Sequence, residues 1–490
     1  MAILSIDAGT TGVTALVVSK QGEILARGYQ EFAQHFPTPG WVEHDPEEIW
    51  QATLSACQQA LQATTEAPIA IGITNQRETA VMWDRKTLKS PTRAIVWQDR
   101  RTADLTEELN KKNNGDWIRF RTGLKLDPYF TSSKFLWWQK NLPQIWQQVE
   151  QGELALGTVD SYLCARISGG ALHITDATNA SRTQLMNLES CQWDEELLEA
   201  FGIPAKALPQ IVPNWGNFGH SNPEHFLGLD IPITGMAGDQ QAALFGQCGF
   251  EVGDSKSTYG TGAFILTNTG SEIKHSDHGL LATMAYLTPS GEKVYAIEGS
   301  VFVAGAAVQW LRDSLRIITS SSEVETLALQ SGSSHGVSFV PALTGLGAPY
   351  WDPAARGTLM GLTRGSDRGA IAYATLEGIA FQVKAVLDAM EQDLGHGLKG
   401  LRVDGGAAAN DLLMQIQSDC INTEVIRAKN LESTGLGAAL LAGLGAGIFG
   451  SINELEKLNP AAKTFTPQKN RSHEFARWQK AVELIREFEN

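Results

Sequence analysis

The sequence predicts an α/β protein built from two similar domains that face each other across a cleft. Three observations carry that expectation. Short apolar strands run into glycine turns and helix starts, as at Ile69 to Thr74 and from Ile233 through Gly238-Asp239-Gln240-Gln241. A Gly-Thr turn with strands on both sides opens each half, Asp7-Ala8-Gly9-Thr10-Thr11-Gly12 early and Tyr259-Gly260-Thr261-Gly262 past the midpoint. The length of 490 residues is more than one ordinary domain requires. The boundary is expected near Gly249, dividing the chain into residues 1–248 and 249–490.

Taken in order, Ile3 to Ile6, Val13 to Ser19 and Glu23 to Phe32 read as an antiparallel meander. Asp45-Pro46-Glu47-Glu48 starts a helix, with Asp as N-cap, Pro at the first helical position and acids in the first turn. Ile49, Leu54, Cys57 and Leu61 recur at helical spacing and give that helix a buried face. The strand Ile69 to Thr74 delivers Asn75-Gln76-Arg77-Glu78, and a strand Ala94 to Gln98 delivers Trp97 and Asp99-Arg100-Arg101. Strand ends are where α/β folds place ligands, the plain alternative being a solvated end. In the second half, Ile265 to Asn268 is a strand, and Val403-Asp404-Gly405-Gly406 is a further glycine turn before the helix Asp411 to Cys420. The glycine-rich run Thr434 to Ile452 suits a tightly packed interior helix better than a membrane span.

Composition narrows the partners. A hydrophobic content of 43% with 19% charged residues is that of an ordinary globular protein. A net charge of −15 without a basic stripe argues against nucleic acid. Cys57, Cys164, Cys191, Cys248 and Cys420 are scattered and odd in number, which predicts free thiols in a reducing compartment. Met1 to Asp7 enters a strand at once, so neither a signal peptide nor membrane insertion is expected, and the setting reads as cytoplasmic.

Glycine turns let backbone amides approach a phosphate, and threonine hydroxyls add donors. Three such turns fit a nucleoside triphosphate better than a single phosphate. There is no P-loop pattern, and Gly445 to Gly450 matches Gly-x-Gly-x-x-Gly inside an apolar helical run, which excludes it as a dinucleotide fingerprint. Asp7 in the first turn reads either as a Mg²⁺ ligand beside bound phosphates or as a simple turn residue. His275 and His278 read as a solvated loop, since no third ligand lies nearby in sequence. Asp239 falls at a helix start, whose positive end favours a carboxylate; it reads as a cap or as a base for a substrate hydroxyl. Together, Asp239 as base, Asp7 as metal ligand and the three turns describe phosphoryl transfer from ATP.

Several longer stretches resemble the signatures of the FGGY carbohydrate kinases, within the actin/hexokinase/Hsp70 superfamily, and in particular the glycerol kinases. They are residues 40–46 (Gly-Trp-Val-Glu-His-Asp-Pro), 74–79 (Thr-Asn-Gln-Arg-Glu-Thr), 178–183 (Thr-Asn-Ala-Ser-Arg-Thr), 238–247, 258–262 and 347–353 (Gly-Ala-Pro-Tyr-Trp-Asp-Pro). The resemblance spans essentially the whole chain. It implies two RNase-H-like domains flanking a catalytic cleft, and ATP-dependent phosphorylation of glycerol with Mg²⁺. By the same resemblance Arg77, Glu78, Tyr129, Asp239 and Gln240 hold glycerol, with Trp97 and Phe264 against its carbon side. The resemblance further implies that Thr10, Thr11, Thr261, Gly305, Gln309, Gly406 and Asn410 hold the nucleotide and that the protein forms a homo-oligomer, a dimer or tetramer.

There are two departures in the first turn. Thr14 stands where many relatives carry an arginine, so a weaker hold on the nucleotide phosphates is expected, and Ala8 stands where glutamine is frequent. The segment His225-Phe226-Leu227-Gly228-Leu229-Asp230 lacks the arginine of a fructose 1,6-bisphosphate loop. It resembles a loop phosphorylated on histidine by the phosphotransferase system, with His225 as the acceptor. The rival readings are an FGGY kinase for another polyol or a ketopentose, and a catalytically weak, nucleotide-gated regulatory protein.

Overall fold

The computed structural model describes residues 1–113 and 115–489. The opening meander forms as its apolar pattern dictates, with β1 (Ala2–Ala8), β2 (Gly12–Ser19) and β3 (Ile24–Glu31) pairing antiparallel. The first two are buried along almost their whole length, as strands covered on both faces must be, whereas β3 alternates like an edge strand. Helix α1 (Pro46–Gln62) starts where expected, with the Asp45 carboxylate accepting from the Glu47 amide at 2.9 Å. Its buried face includes Ile49 and Cys57 but runs through Ala52, Ala56 and Ala60, which leaves Leu54 and Leu61 half-buried at the margin.

Strand β4 (Pro68–Asn75) pairs parallel with β1, β5 (Trp215–His220) forms an outer strand, and β6 (Pro232–Gly238) pairs parallel with β4. The first sheet therefore has the order β5-β6-β4-β1-β2-β3, and α2 (Asp239–Gly246) leaves it directly from β6. The second half repeats the plan. Strands β7 (Ser255–Tyr259), β8 (Ala263–Gly270), β9 (Leu281–Leu287) and β10 (Lys293–Val301) form an antiparallel set. After α3 (Gly305–Asp313) and α4 (Arg368–Leu394), β11 (Leu401–Asp404) pairs parallel with β7. Then come α5 (Asp411–Ile421), β12 (Val425–Ala428), α6 (Ser433–Gly445) and β13 (Ala461–Phe465), giving the order β9-β10-β8-β7-β11-β12-β13. Without the outer strands, β6-β4-β1-β2-β3 and β12-β11-β7-β8-β10 are the same topology with the same strand directions. This is the duplicated RNase-H-like arrangement.

A shared core lies between the sheets. It joins Ile3, Leu16 and Val18 of the first sheet to Leu266, Ala285 and Ala296 of the second through α2 and α6. The glycine-rich run predicted as an interior helix is α6, buried from Gly435 to Gly443. The long apolar α4 is the one helix among the described residues with the length and composition of a membrane span; 89% of its apolar window is buried inside the protein, so it is a core helix. All five cysteines are free and buried.

One expected strand is shorter than the sequence suggests. Only Ala94–Ile95 is extended, paired with Glu43–His44, and the chain then turns. The turn is held by buried Asp99, which accepts from the Val42 amide at 2.6 Å and bridges Arg101 at 2.8 Å. The Arg101 guanidinium lies 3.8 Å from the Trp41 ring centroid. The Asp99-Arg100-Arg101 cluster is thus structural, and only Trp97 of that segment reaches the cleft.

Helices α2 and α6 cross at backbone contact. A Cβ on Gly437 would lie 1.8 Å from the Ala242 carbonyl oxygen, and one on Gly246 would lie 2.0 Å from that of Ser433. Neither backbone can yield without moving its helix. Gly437→Ala is expected to cost about 1–3 kcal/mol of stability, read as a lowered thermal midpoint; an unchanged midpoint would contradict the close crossing.

Candidate active site

The parallel register brings the cleft ends of β1, β4 and β6 side by side, with Ala8 opposite Asn75 and Asn75 opposite Gly238. The residues that follow are therefore neighbours: Gly9-Thr10-Thr11, Gln76-Arg77-Glu78 and Asp239-Gln240. Gln76 locks this arrangement by donating from its side chain to the Gly9 carbonyl at 3.0 Å and from its amide to Ala8 at 2.8 Å.

Arg77 is almost wholly buried and sits at the centre. Its Nε lies 3.0 Å from Asp239 Oδ1, and its Nη1 and Nη2 grip Glu298 at 2.5 and 3.1 Å. Asp239 Oδ1 also accepts from the Gln240 amide at 2.7 Å, so Oδ1 is engaged twice; Oδ2 has no protein partner among the described residues. Glu78 is held by Arg182, whose Nε donates to Oε1 at 2.6 Å while Nη2 donates to Glu298 at 3.0 Å. Glu78 takes a left-handed backbone, φ 61°. Burial pushes the Glu78 carboxyl up against the pull of Arg182 and Arg77. Burial also acts on Glu298, but Arg182 and Arg77 outweigh it and hold that carboxyl at about 2.

Three aromatic rings meet beside this cluster. Trp97 meets Tyr129 edge-on at 5.6 Å and Phe264 at 6.1 Å, and its indole N–H donates to Thr10 Oγ1 at 3.0 Å. The Arg182 guanidinium lies 5.7 Å from the Tyr129 centroid. On the other side, the fully buried Lys256 ammonium donates to the Gln240 carboxamide oxygen, to Thr258 Oγ1 at 3.1 Å and to the Phe264 carbonyl at 3.5 Å. The contacts close a circuit: Asp239, Arg77, Glu298, Arg182 and Glu78 on one arc, Tyr129, Trp97 and Phe264 on the next, Lys256 and Gln240 completing it. Burial pulls the Lys256 ammonium down to about 8, while Asp404 and Asp239 favour its charge.

On the opposite rim the second Gly-Thr turn matches the first. Gly9 N donates to Gly12 O at 3.0 Å and Gly260 N to Gly262 O at 2.9 Å. The Gly405 turn packs on the same place: a Cβ on Gly405 would lie 2.6 Å from the Tyr259 carbonyl oxygen, so only glycine admits this approach. Thr11, Thr261 and Gly406 are exposed there. Gly305 joins them, but its amide donates to Gly260 O at 3.0 Å, so it contributes close approach of α3 and not a free donor. Asn410 caps α5, accepting from Leu413 N at 2.8 Å. Gln309 is exposed on α3, one turn beyond Gly305.

Asp7 is the last residue but one of β1, opposite Thr14 in the register. Burial, then the like charges of Asp239 and Glu432, push its carboxyl well above the usual range. No group of three metal-ligating side chains occurs among the described residues, so a divalent ion here would take most of its oxygens from elsewhere. His275 stacks on Phe120 at 5.2 Å and His278 binds Asp393 at 2.6 Å, in keeping with a loop role for both. His225 is exposed on a turn whose neighbour Phe226 is fully buried. A cavity of about 370 Å³ in the second half, lined by His335, Glu377 and Arg471, contains none of these residues. Glu298, Lys256 and Gln241 were not singled out by the sequence, although each is part of the circuit or braces Arg77.

A duplicated α/β fold whose facing strand ends gather Asp239, a chain of paired charges, three aromatic rings and two Gly-Thr turns is that of a two-domain kinase. The N-terminal domain model of the FGGY family of carbohydrate kinases matches residues 2–246, and the C-terminal domain model matches residues 256–446. The chain belongs to the FGGY family of carbohydrate kinases. A glycerol kinase of Bdellovibrio bacteriovorus is 49% identical, over 99% of each chain. The crystal structure of Plasmodium falciparum glycerol kinase with ADP superposes with a TM-score of 0.92 at 38% identity, covering 99% of this chain and 98% of that one. A xylulose kinase from Lactobacillus acidophilus shares the fold at TM-score 0.87 and 23% identity, covering 99% of this chain and 97% of that one.

Because Lys256 gives up its proton near pH 8, its three-way grip on Gln240, Thr258 and Phe264 weakens above that pH. The acceptor KM is expected to rise as pH passes about 8, and Lys256→Met is expected to show a high KM without that pH step. A step that survives in the variant would assign it to another group.

Proposed function

We propose that this protein transfers the γ-phosphoryl group of ATP to glycerol, forming sn-glycerol 3-phosphate and ADP. The observation that carries this reading is the free Oδ2 of Asp239, whose Oδ1 is fixed by Arg77 at 3.0 Å inside the ring of polar and aromatic side chains. A triol needs several paired donors and acceptors, and Arg77, Glu78, Tyr129, Asp239 and Gln240 are assigned that task. Trp97 and Phe264 are assigned to its carbon side, where they keep out water that would otherwise accept the phosphoryl group.

The chemistry follows from these positions. Asp239 Oδ2 accepts the proton of the 3-hydroxyl, the hydroxyl oxygen bonds to the γ-phosphorus, and the bond from that phosphorus to the β-phosphate oxygen breaks, releasing ADP. The transition state is loose, so the proton leaves late and a carboxylate is a sufficient base. Thr10, Thr11, Thr261 and Gly406 are assigned to the phosphates and nucleotide, with Gln309 and Asn410 beside them and Gly305 setting the approach of α3. Asp7 is assigned to a Mg²⁺ ion, which when bound would offset the charge of the triphosphate. Closing of the two halves over the substrates aligns the hydroxyl with the phosphoryl group.

A cytoplasmic setting fits five free thiols and an ATP-dependent reaction. Exposed His225 is the candidate for phosphorylation by a phosphotransferase-system protein. Incubation with those proteins is expected to add one phosphoryl group by intact mass, lost in His225→Ala; an unmodified mass ends that idea.

Asp239→Asn is expected to lower kcat by about a hundredfold or more with glycerol binding kept, and near-normal turnover would refute the base. In the wild-type protein, ADP release should respond to glycerol ahead of dihydroxyacetone and pentuloses; a response to a pentulose alone would move the protein to another branch of its family.

A further inference from the structure

Glu298 is a carboxylate where strand packing asks for none. It lies on β10 between Ile297 and Gly299, is fully buried, and belongs to the second sheet. Isolating a charge there would cost several kcal/mol unless matched. Both of its partners, Arg77 and Arg182, come from the first half of the chain.

Each arginine has a second task. Arg77 passes from Glu298 to Asp239 Oδ1, and Arg182 passes from Glu298 to Glu78 Oε1. In both carboxylates one oxygen is taken by an arginine, and the other, Asp239 Oδ2 or Glu78 Oε2, has no protein partner among the described residues. The two free oxygens are thus the ends of a single branched chain of ion pairs with Glu298 at the branch point. The bidentate contact to Arg77 allows little rotation of that guanidinium. Arg182 is further confined by Phe130, whose ring centroid lies 5.3 Å from its guanidinium carbon.

We propose that Glu298 is a positioning residue for the phosphoryl acceptor: through Arg77 and Arg182 it sets the spacing and direction of the two free oxygens that receive the hydroxyls of the polyol. Glu298 touches no substrate. It makes recognition of the acceptor, bound by residues of the first half, depend on a side chain of the second. The inference rests on the reading of Arg77, Glu78 and Asp239 as the acceptor site.

The test is steady-state kinetics of the full-length protein with glycerol and ATP varied separately. Glu298→Gln keeps the shape but replaces one acceptor oxygen with a donor that faces an arginine. It is expected to lower kcat/KM for glycerol by about tenfold or more, with the KM for ATP within about twofold of wild type. Glu298→Asp keeps the charge and is expected to recover part of the loss. Should Glu298→Gln not accumulate as folded protein, Arg182→Lys decides: it keeps the charge and breaks the two-point bridge, so the glycerol KM is expected to rise while the ATP KM holds. A kcat/KM for glycerol unchanged in these variants overturns the proposal, as does an equal loss for both substrates without recovery in Glu298→Asp, which marks a purely structural role. A wild-type protein that fails to phosphorylate glycerol overturns the functional reading instead.

Discussion

The crossing of α2 and α6 is the constraint on which the cleft depends. The helices touch backbone to backbone at Gly246 and Gly437, and α6 is further tied to the first sheet by Ser5 and Thr234, which donate to the Gly435 and Ala442 carbonyls at 2.6 and 2.9 Å. A bulkier seam would move the two sheets apart. The N-terminus of α2 carries Asp239, while the N-terminus of α6 lies beside Glu432, whose charge reaches Asp7. The seam therefore fixes both the fold's midline and the spacing of the carboxylates at its mouth.

Electrostatics then divides the labour across that mouth. On the acceptor side two arginines meet three carboxylates, every charge in contact with an opposite one, which is the condition for keeping such groups out of water. A neutral polyol can enter without disturbing that balance. On the Asp7 side burial and the charges of Asp239 and Glu432 act together on one carboxyl, although Arg77 bridges Asp239 and Arg27 bridges Glu432, each at 3.0 Å, and Thr14 opposite Asp7 adds no charge. The two sides thus differ in kind. On one side every charge is paired within the protein; on the other, Asp7 has no ion-pair partner among the described residues.

The duplicated fold was legible because it rests on local signals: apolar strands, Gly-Thr turns, and the Asp45-Pro46 helix start. The strand ends also pointed to Arg77 and Trp97, which the fold brings into one cluster of charged and aromatic side chains. What escaped were contacts made across long sequence separations. Glu298 is a single carboxylate in the apolar strand Val294 to Val301, and Lys256 a single cation in Ser255 to Tyr259; a lone charge in a buried strand was a readable warning, but its partners were not. Asp99-Arg100-Arg101 misled for the converse reason. Its composition is that of a ligand site, yet Asp99 and Arg101 are taken up by each other, Val42, Glu43 and two tryptophans in a turn, and Arg100 bridges Asp127.

Of the two readings of Asp239, the structure removes the cap. Gly238, not Asp239, is the N-cap of α2, and Asp239 occupies the first helical position, accepting from the next amide at 2.7 Å. Gly238 is required there because the Arg77 side chain runs over it: a Cβ would lie 2.7 Å from both Cγ and Cδ of that arginine. The cap position is thus surrendered so that the arginine can reach the carboxylate. Once Arg77 and the Gln240 amide share Oδ1, the remaining oxygen cannot turn back to the helix without giving up both bonds. The same helix start that accounts for an aspartate at this position thereby leaves one of its oxygens without a protein partner among the described residues.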